Sequence, residues 1–352
     1  MRAQSIACDA ALADLAQFDT IIDVRSESEF AIDHLPGALN CPVLTDAERA
    51  EIGTIYKQVS PFDARRAGAA LVAANIARHL RSCFPERPRR WSPLVYCWRG
   101  GERSASFAHV MSRVGWRVQQ LEGGYRAFRR LVVEALCMPP SHLRFRMLCG
   151  ATGSGKSRLL GHLERAGAQV LDLEALAAHR GSVLGDLPGC SQPSQKRFET
   201  RLWWALGHLD PARPVFVESE SRKIGNCQLP GALLDAMRQS DCISLDLPEP
   251  QRIRLLRDEY RHYEHCPDRL AEQLDCLTGL HGAATVERWQ AMVRSARWDE
   301  LVGCLLAEHY DPVYRRSIQT NYQRVDEARC VHLESTDDAA FERVAQELAL
   351  EV

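Results

Sequence analysis

Two segments of the chain carry residue types suited to anions and reactive sulfur. Tyr96-Cys97-Trp98-Arg99-Gly100-Gly101-Glu102-Arg103-Ser104 sets a cysteine at the end of an apolar run, followed by Arg99 and Arg103. A thiol in water is mostly protonated at neutral pH, so a nucleophilic cysteine needs positive charge or N–H donors around it. The loop from Trp98 to Arg103 can wrap backbone N–H groups round the sulfur, and a helix starting near Ser104 aims its positive end at the same point. Arg99 and Arg103 add charge and can fork onto phosphate-like oxygens. Such a nest suits a thiolate, a persulfide or selenide, or a bound oxyanion. The plainer alternative is a buried structural cysteine beside a glycine turn.

About fifty residues later, Gly150-Ala151-Thr152-Gly153-Ser154-Gly155-Lys156-Ser157 is a complete Walker A pattern behind the strand-like Phe145–Cys149. Gly150, Gly153 and Gly155 let the backbone come close to phosphate oxygens, with the N–H of Ser154 among the donors. Lys156 reaches the terminal phosphates, and the hydroxyl of Ser157 leaves room for Mg²⁺. Val215-Phe216-Val217-Glu218 reads as a companion strand ending in an acid, with glutamate where aspartate is commoner. The pattern predicts phosphate binding. ATP hydrolysis does not follow from it, nor does the identity of the group attached to the phosphates.

The elements that must hold these loops alternate between short apolar strands and amphipathic helices, which predicts an α/β fold. Strands are expected at Thr20–Val24, Leu94–Tyr96 and Val118–Leu121, with a helix from Ser104 to Val114. Cys137-Met138-Pro139-Pro140-Ser141 interrupts a helical stretch and reads as a linker. A second α/β unit follows, with strands at 145–149, 169–172, 215–218 and 243–247. From Pro250 onward the pattern is mainly helical, ending in a helix over 338–350. The expected division is therefore 1–138 for the domain carrying Cys97 and 139–352 for the P-loop domain with its helical C-terminal part.

Composition narrows the classes. The 352 residues are 45% hydrophobic and 26% charged, with a net charge of −2. No global basic field marks a nucleic-acid partner, so any RNA site must be a local patch. Arg252, Arg254, Arg257 and Arg261, interleaved with Tyr260 and Tyr263, are one candidate. No apolar run approaches transmembrane length and no signal core follows the N-terminus. Thirteen cysteines without a Cys-x-x-Cys pair point to free thiols in a reducing cytoplasm and to no metal site.

Asp23-Val24-Arg25-Ser26-Glu27-Ser28-Glu29-Phe30, followed by His34-Leu35-Pro36-Gly37-Ala38-Leu39-Asn40, resembles the opening motif of rhodanese-like domains. Leu121-Glu122-Gly123-Gly124-Tyr125 resembles their closing segment. The likeness covers roughly residues 5 to 135, with Asp33 standing where many such domains have glycine. The Cys-x5-Arg loop is one residue longer than the usual sulfurtransferase loop and matches rhodanese-fold dual-specificity phosphatases. A longer loop seats a tetrahedral oxyanion, which leaves phosphatase chemistry open.

A rhodanese-like domain joined to a Walker A domain, with His179-Arg180-Gly181-Ser182, Ser194-Gln195-Lys196 and Glu218-Ser219-Glu220-Ser221-Arg222, resembles the bacterial tRNA 2-selenouridine synthase family from end to end. The resemblance implies a tRNA bearing 2-thiouridine at the wobble position. It also implies S-geranylation from geranyl diphosphate followed by replacement of the geranylated sulfur with selenium from selenophosphate. Both reagents are co-substrates, and no permanent cofactor is expected. On this reading Cys97, Arg99 and Arg103 handle the selenium donor, while Gly150, Gly153, Ser154, Gly155, Lys156, Ser157 and Glu218 hold phosphate. The alternatives are a Cys97-dependent phosphatase or sulfurtransferase with a nucleotide-binding regulatory domain, and a non-catalytic RNA-binding switch.

Overall fold

A computed structural model describes residues 3–351. The chain forms two units, one of residues 1–135 together with Lys196–Trp204, the other of Leu136–Gln195 and Ala205–Val352. Each is built on a five-stranded, wholly parallel sheet.

In the first unit the strands are β1 (Gln4–Ile6), β2 (Thr20–Asp23), β3 (Ala38–Asn40), β4 (Pro93–Tyr96) and β5 (Gln119–Leu121), in the spatial order β1-β5-β4-β2-β3. All four residues of β4 are buried, as expected of a parallel strand covered on both faces. The chain leaves β2 toward β3 on one side and returns to β4 on the other. The crevice at the carboxyl ends of β2 and β4 is thus the switch point where α/β sheets bind ligands. Arg25 follows β2, and Cys97 follows β4. Ile22, Val95, Phe107 and Met111 lie in the core beneath them.

Between β3 and β4 the chain forms helices Asp46–Gln58 and Pro61–Ser82, for which the strand pattern gave no signal. Their starts are nevertheless written locally. Thr45 and Glu48 make a reciprocal capping box, and Ser60 caps a helix that opens with proline. Asp33, the departure from the usual glycine, is fully buried and accepts hydrogen bonds from Tyr125 Oη and Thr200 Oγ1, both at 2.9 Å. Arg129 pairs with Glu199, and the Phe128 and Trp203 rings meet edge to face. These contacts fasten Lys196–Trp204 into the first unit.

The second unit contains β6 (Arg144–Cys149), β7 (Gln169–Leu171), β8 (Pro214–Glu218), a small hairpin of β9 (Lys223–Ile224) and β10 (Cys227–Gln228), then β11 (Asp241–Asp246) and β12 (Arg329–His332). The main sheet runs β12-β11-β6-β8-β7. Strand β12 lies inside a region read as mainly helical. Only Val331 of its four residues is buried, so this edge strand lacks the apolar run that marks central strands. The last helix, Asp338–Leu350, has the expected bounds and packs Phe341 and Ala345 into the core. Among the described residues no helix is long and apolar enough to cross a membrane, and all thirteen cysteines are free thiols.

Gly124 joins the closing segment of the first unit to its cysteine loop. It has φ +56°, and a Cβ there would stand 2.3 Å from the Cys97 carbonyl oxygen and 2.6 Å from the Gly100 nitrogen. Gly124→Ala is expected to cost about 3 kcal/mol in chemical denaturation, combining a left-handed non-glycine residue with a backbone clash. A loss below about 1 kcal/mol would show that the loop relaxes around the added methyl.

Candidate functional site

Cys97 emerges from β4 into a loop that ends at Gly101, the N-cap of helix Glu102–Val114. The first N–H groups of that helix have no intrahelical acceptor, and its dipole places partial positive charge beside the loop. The thiol is 3% exposed. Ser104 Oγ donates to Cys97 Sγ at 3.1 Å, and Gln120 Nε2 donates to both Ser104 Oγ at 2.9 Å and the Gly100 carbonyl at 2.7 Å. Tyr125 N donates to the Cys97 carbonyl at 2.8 Å, and Arg126 N to that of Trp98 at 3.0 Å. The sulfur therefore has one side-chain donor, Ser104, which Gln120 holds in place, while the thiol itself faces the Gly101 carbonyl at 3.9 Å. Ser104, within the quoted motif, has a direct contact that the spacing of the arginines did not single out.

The two arginines have different surroundings. Arg99 is exposed, and its guanidinium makes no hydrogen bond or ion pair among the described residues. Arg103 is bound to Glu29 at 2.7 Å. Burial acts to raise the Glu29 carboxyl, yet the Arg103 guanidinium outweighs it and holds the group below its usual range. Beside this pair a cleft of about 350 Å³ is lined by Arg25, Glu29, Arg49, Trp98, Arg103 and Lys196, among others. Arg25 is 1% exposed, pairs with Asp23 at 2.6 Å and lies 4.0 Å from the Tyr125 ring centroid. The cleft is cationic at its mouth and rigid at its base.

In the second unit the loop after β6 leads into helix Lys156–Arg165. Gly155 has φ +86°, and a Cβ there would meet Phe341 at 2.6 Å. Arg252 Nε donates to the Thr152 carbonyl at 2.9 Å, while its other nitrogens hold Asp311. Lys156 Nζ donates to the Gly150 carbonyl at 2.8 Å. Ser154 is buried, and its Oγ has no hydrogen-bond partner among the described residues. These loop residues border or underlie a cavity of about 490 Å³.

Three carboxylates converge on that cavity from separate stretches of chain. Glu218 ends β8, Glu220 follows it, and Glu174 lies on the short helix Leu173–Ala177 capped by Asp172. Each offers an oxygen within 4.8 Å of the others, Ser157 Oγ donates to Glu174 at 3.1 Å, and Oε1 of the buried Glu218 has no hydrogen-bond partner among the described residues. Burial, reinforced by the neighbouring carboxylates, pushes Glu174 up to about 9. Burial pushes Glu218 up to about 8 despite the attraction of Lys156, and Glu220 up to about 7 for the same reason. An all-oxygen set of this kind can hold Mg²⁺. Of the three, only Glu218 was expected at the phosphate site; Glu220 was noted within the Glu218–Arg222 motif but given no role, and its Glu-x-Glu step at the end of a buried strand was the available signal.

The arginine stripe is less open than its spacing implies. Arg252 is buried against the phosphate loop, and Arg257 pairs with Glu264 at 2.9 Å and Asp299 at 3.0 Å. Tyr263 is buried and donates to the Leu184 carbonyl. Arg254 is the exposed guanidinium of the four that carries no described ion pair. Much of the stripe is thus fold-building.

The glutamate cluster fixes a pH dependence. Unfolded glutamates titrate near 4.3, so the folded protein retains protons that unfolding releases above about pH 5. Stability held below pH 5 is therefore lost as pH rises through 7 to 9. Thermal melts in chelator should show a lower midpoint at pH 9 than at pH 6, with a shallower fall in Glu218→Gln. A wild-type midpoint that is flat or rises over this range would contradict the cluster's protonation.

Comparison with known proteins agrees with the two-part architecture. Residues 8–131 match the rhodanese-like domain, and residues 143–272 match the tRNA 2-selenouridine synthase AAA domain. The tRNA 2-selenouridine synthase of Aeromonas salmonicida is 35% identical over 69% of this chain and 65% of its own length. That of Shewanella sediminis is 32% identical over 87% of this chain and 89% of its own. With a rhodanese-like unit carrying Cys97 and a P-loop unit bearing the glutamate cluster, the chain belongs to the tRNA 2-selenouridine synthase family.

Proposed function

We propose that the protein converts wobble 2-thiouridine of tRNA to 2-selenouridine through an S-geranyl intermediate, using geranyl diphosphate and then selenophosphate. A thiocarbonyl sulfur is a poor leaving group, and alkylation both improves it and makes C2 electrophilic. In the first step the sulfur bonds to C1 of the geranyl group, the C1–O bond breaks, diphosphate departs, and the uridine loses its N3 proton. In the second, water attacks the phosphorus of selenophosphate, the P–Se bond breaks, and phosphate and hydroselenide result. Hydroselenide adds at C2 and the C2–S bond breaks; its proton passes to N3 as C2=Se forms, and the departing sulfur takes a proton from water to leave as geranylthiol.

The observation that carries the first step is the cavity shared by the Walker loop and the three glutamates. Backbone N–H groups and Lys156 are suited to a diphosphate whose negative charge grows as C1–O breaks. Ser157, Glu174, Glu218 and Glu220 would hold Mg²⁺. Bound there, the ion would supply Lewis-acid stabilisation of the departing oxygens. Glu174 and Ser157 keep one another oriented through their hydrogen bond.

For the second step, the Ser104 contact to Cys97 and the helix start beside the loop support custody of the selenium donor. Ser104 and the helix N-terminus favour an anionic sulfur or selenium, and the exposed Arg99 and Lys196 can meet a phosphorylated reagent while Arg103 stays with Glu29. A general phosphatase receives less support. It needs Arg103 to grip phosphate, and Arg103 is held by Glu29. The nearest loop acid, Glu102, is exposed on the first turn of its helix.

Lys156→Ala should slow S-geranylation of thiolated tRNA by about 100-fold, the effect of deleting one donor to developing charge. Selenation of tRNA already carrying S-geranyl-2-thiouridine should proceed at the wild-type rate. Nucleoside mass spectrometry time courses read both steps. Intact geranylation with lost selenation would reverse this assignment.

A further inference from the structure

A second cavity opens in the P-loop unit, and its lining has the opposite chemistry. It measures about 80 Å³ and is walled by Leu184, Leu270, Trp298, Leu301, Val302 and Leu305. Its charged wall residues, Arg257 and Glu264, neutralise each other at 2.9 Å. Thr152, Ser182, Leu256, Tyr260 and Tyr310 line both this cavity and the phosphate cavity. The two cavities are thus neighbours on either side of one wall that includes two tyrosines and a leucine, with Lys156 on the polar side and an apolar end on the other.

We infer that this apolar cavity is the subsite for the hydrocarbon chain of an allylic diphosphate, and that it sets the length of chain the enzyme accepts. The inference rests on the diphosphate reading of the Walker loop given above. A ligand filling both spaces must be amphiphilic, with a polyanionic head at Lys156 and an apolar tail across Leu256 and Tyr260. The distal cavity is about half of the roughly 150 Å³ apolar void that accepts a benzene ring. It therefore takes the branched end of a short chain and excludes a longer one. The five-carbon unit next to the diphosphate lies along the shared wall, and the second unit supplies the end that fills the cavity. Packing behind the cavity is firm: Leu301, Leu305 and Leu270 belong to the same buried cluster as Trp289 and Leu274. Extra carbon atoms would have to displace this core.

The test is a calorimetric binding series on the full chain with inorganic diphosphate, dimethylallyl, geranyl and farnesyl diphosphates. Burying several carbon atoms should make geranyl diphosphate bind about 50-fold more tightly than dimethylallyl diphosphate. Farnesyl diphosphate should bind more weakly than geranyl diphosphate. In Leu305→Trp, and in the milder Val302→Phe at a half-buried wall position, the geranyl-to-dimethylallyl affinity ratio should fall toward one. If dimethylallyl and geranyl diphosphates bind equally well, the subsite is refuted while the diphosphate reading stands. If farnesyl diphosphate binds at least as tightly as geranyl diphosphate, the length limit is refuted. If neither inorganic diphosphate nor any of the three binds, the diphosphate reading fails and the subsite falls with it.

Discussion

Backbone packed too closely for any side chain is the constraint from which both candidate sites follow. The Cys97 carbonyl accepts the Tyr125 N–H at 2.8 Å, and this approach leaves 2.3 Å between that carbonyl oxygen and a Cβ placed on Gly124. In the second unit Phe341 presses on Gly155, leaving 2.6 Å. Each contact fixes a strand–loop–helix turn from behind, so the loop's N–H groups are oriented before any ligand arrives. Preorganised donors of this kind need little rearrangement as charge develops, which is the main source of their catalytic worth.

The two units use that preorganisation on opposite electrostatic terms. Around Cys97 the neighbours are donors and cations: Ser104, a helix N-terminus, and a cleft lined by Arg25, Arg49, Arg103 and Lys196. Glu29 is the compensating anion, engaged by Arg103 and Arg49. Around Lys156 the neighbours are three carboxylates whose burial opposes ionisation. The first environment favours an anionic reagent directly. The second, where Lys156 stands beside three carboxyls that ionise reluctantly, suits a divalent cation together with a polyanion.

Much of the scaffold was legible because buried parallel strands are nearly continuous apolar runs: β4, β6 and β8 each lie within a residue of their expected bounds. Strand β12 was not, since an edge strand with one buried residue has no such run. The convergence of Glu174 with Glu218 and Glu220 was equally hidden, as it depends on β7 and β8 lying side by side. So was the placement of Lys196–Trp204 with the first unit, which rests on Asp33 and Thr200, 167 positions apart. Local pattern located the Cys97 and Walker loops. It overstated the arginine stripe, because spacing along a helix does not distinguish an open guanidinium from one paired with an acid remote in sequence, as Arg252 is with Asp311.

On the proposed reading, a P-loop unit activates the sulfur and a Cys97 unit delivers selenium within one polypeptide. The most direct test is nucleoside mass spectrometry of 2-thiouridine tRNA incubated with geranyl diphosphate and selenophosphate, using wild-type protein and Cys97→Ala in parallel. The wild type is expected to yield 2-selenouridine and the variant to accumulate S-geranyl-2-thiouridine. Unchanged 2-thiouridine in the wild-type reaction, or full selenouridine formation by Cys97→Ala, would contradict this reading.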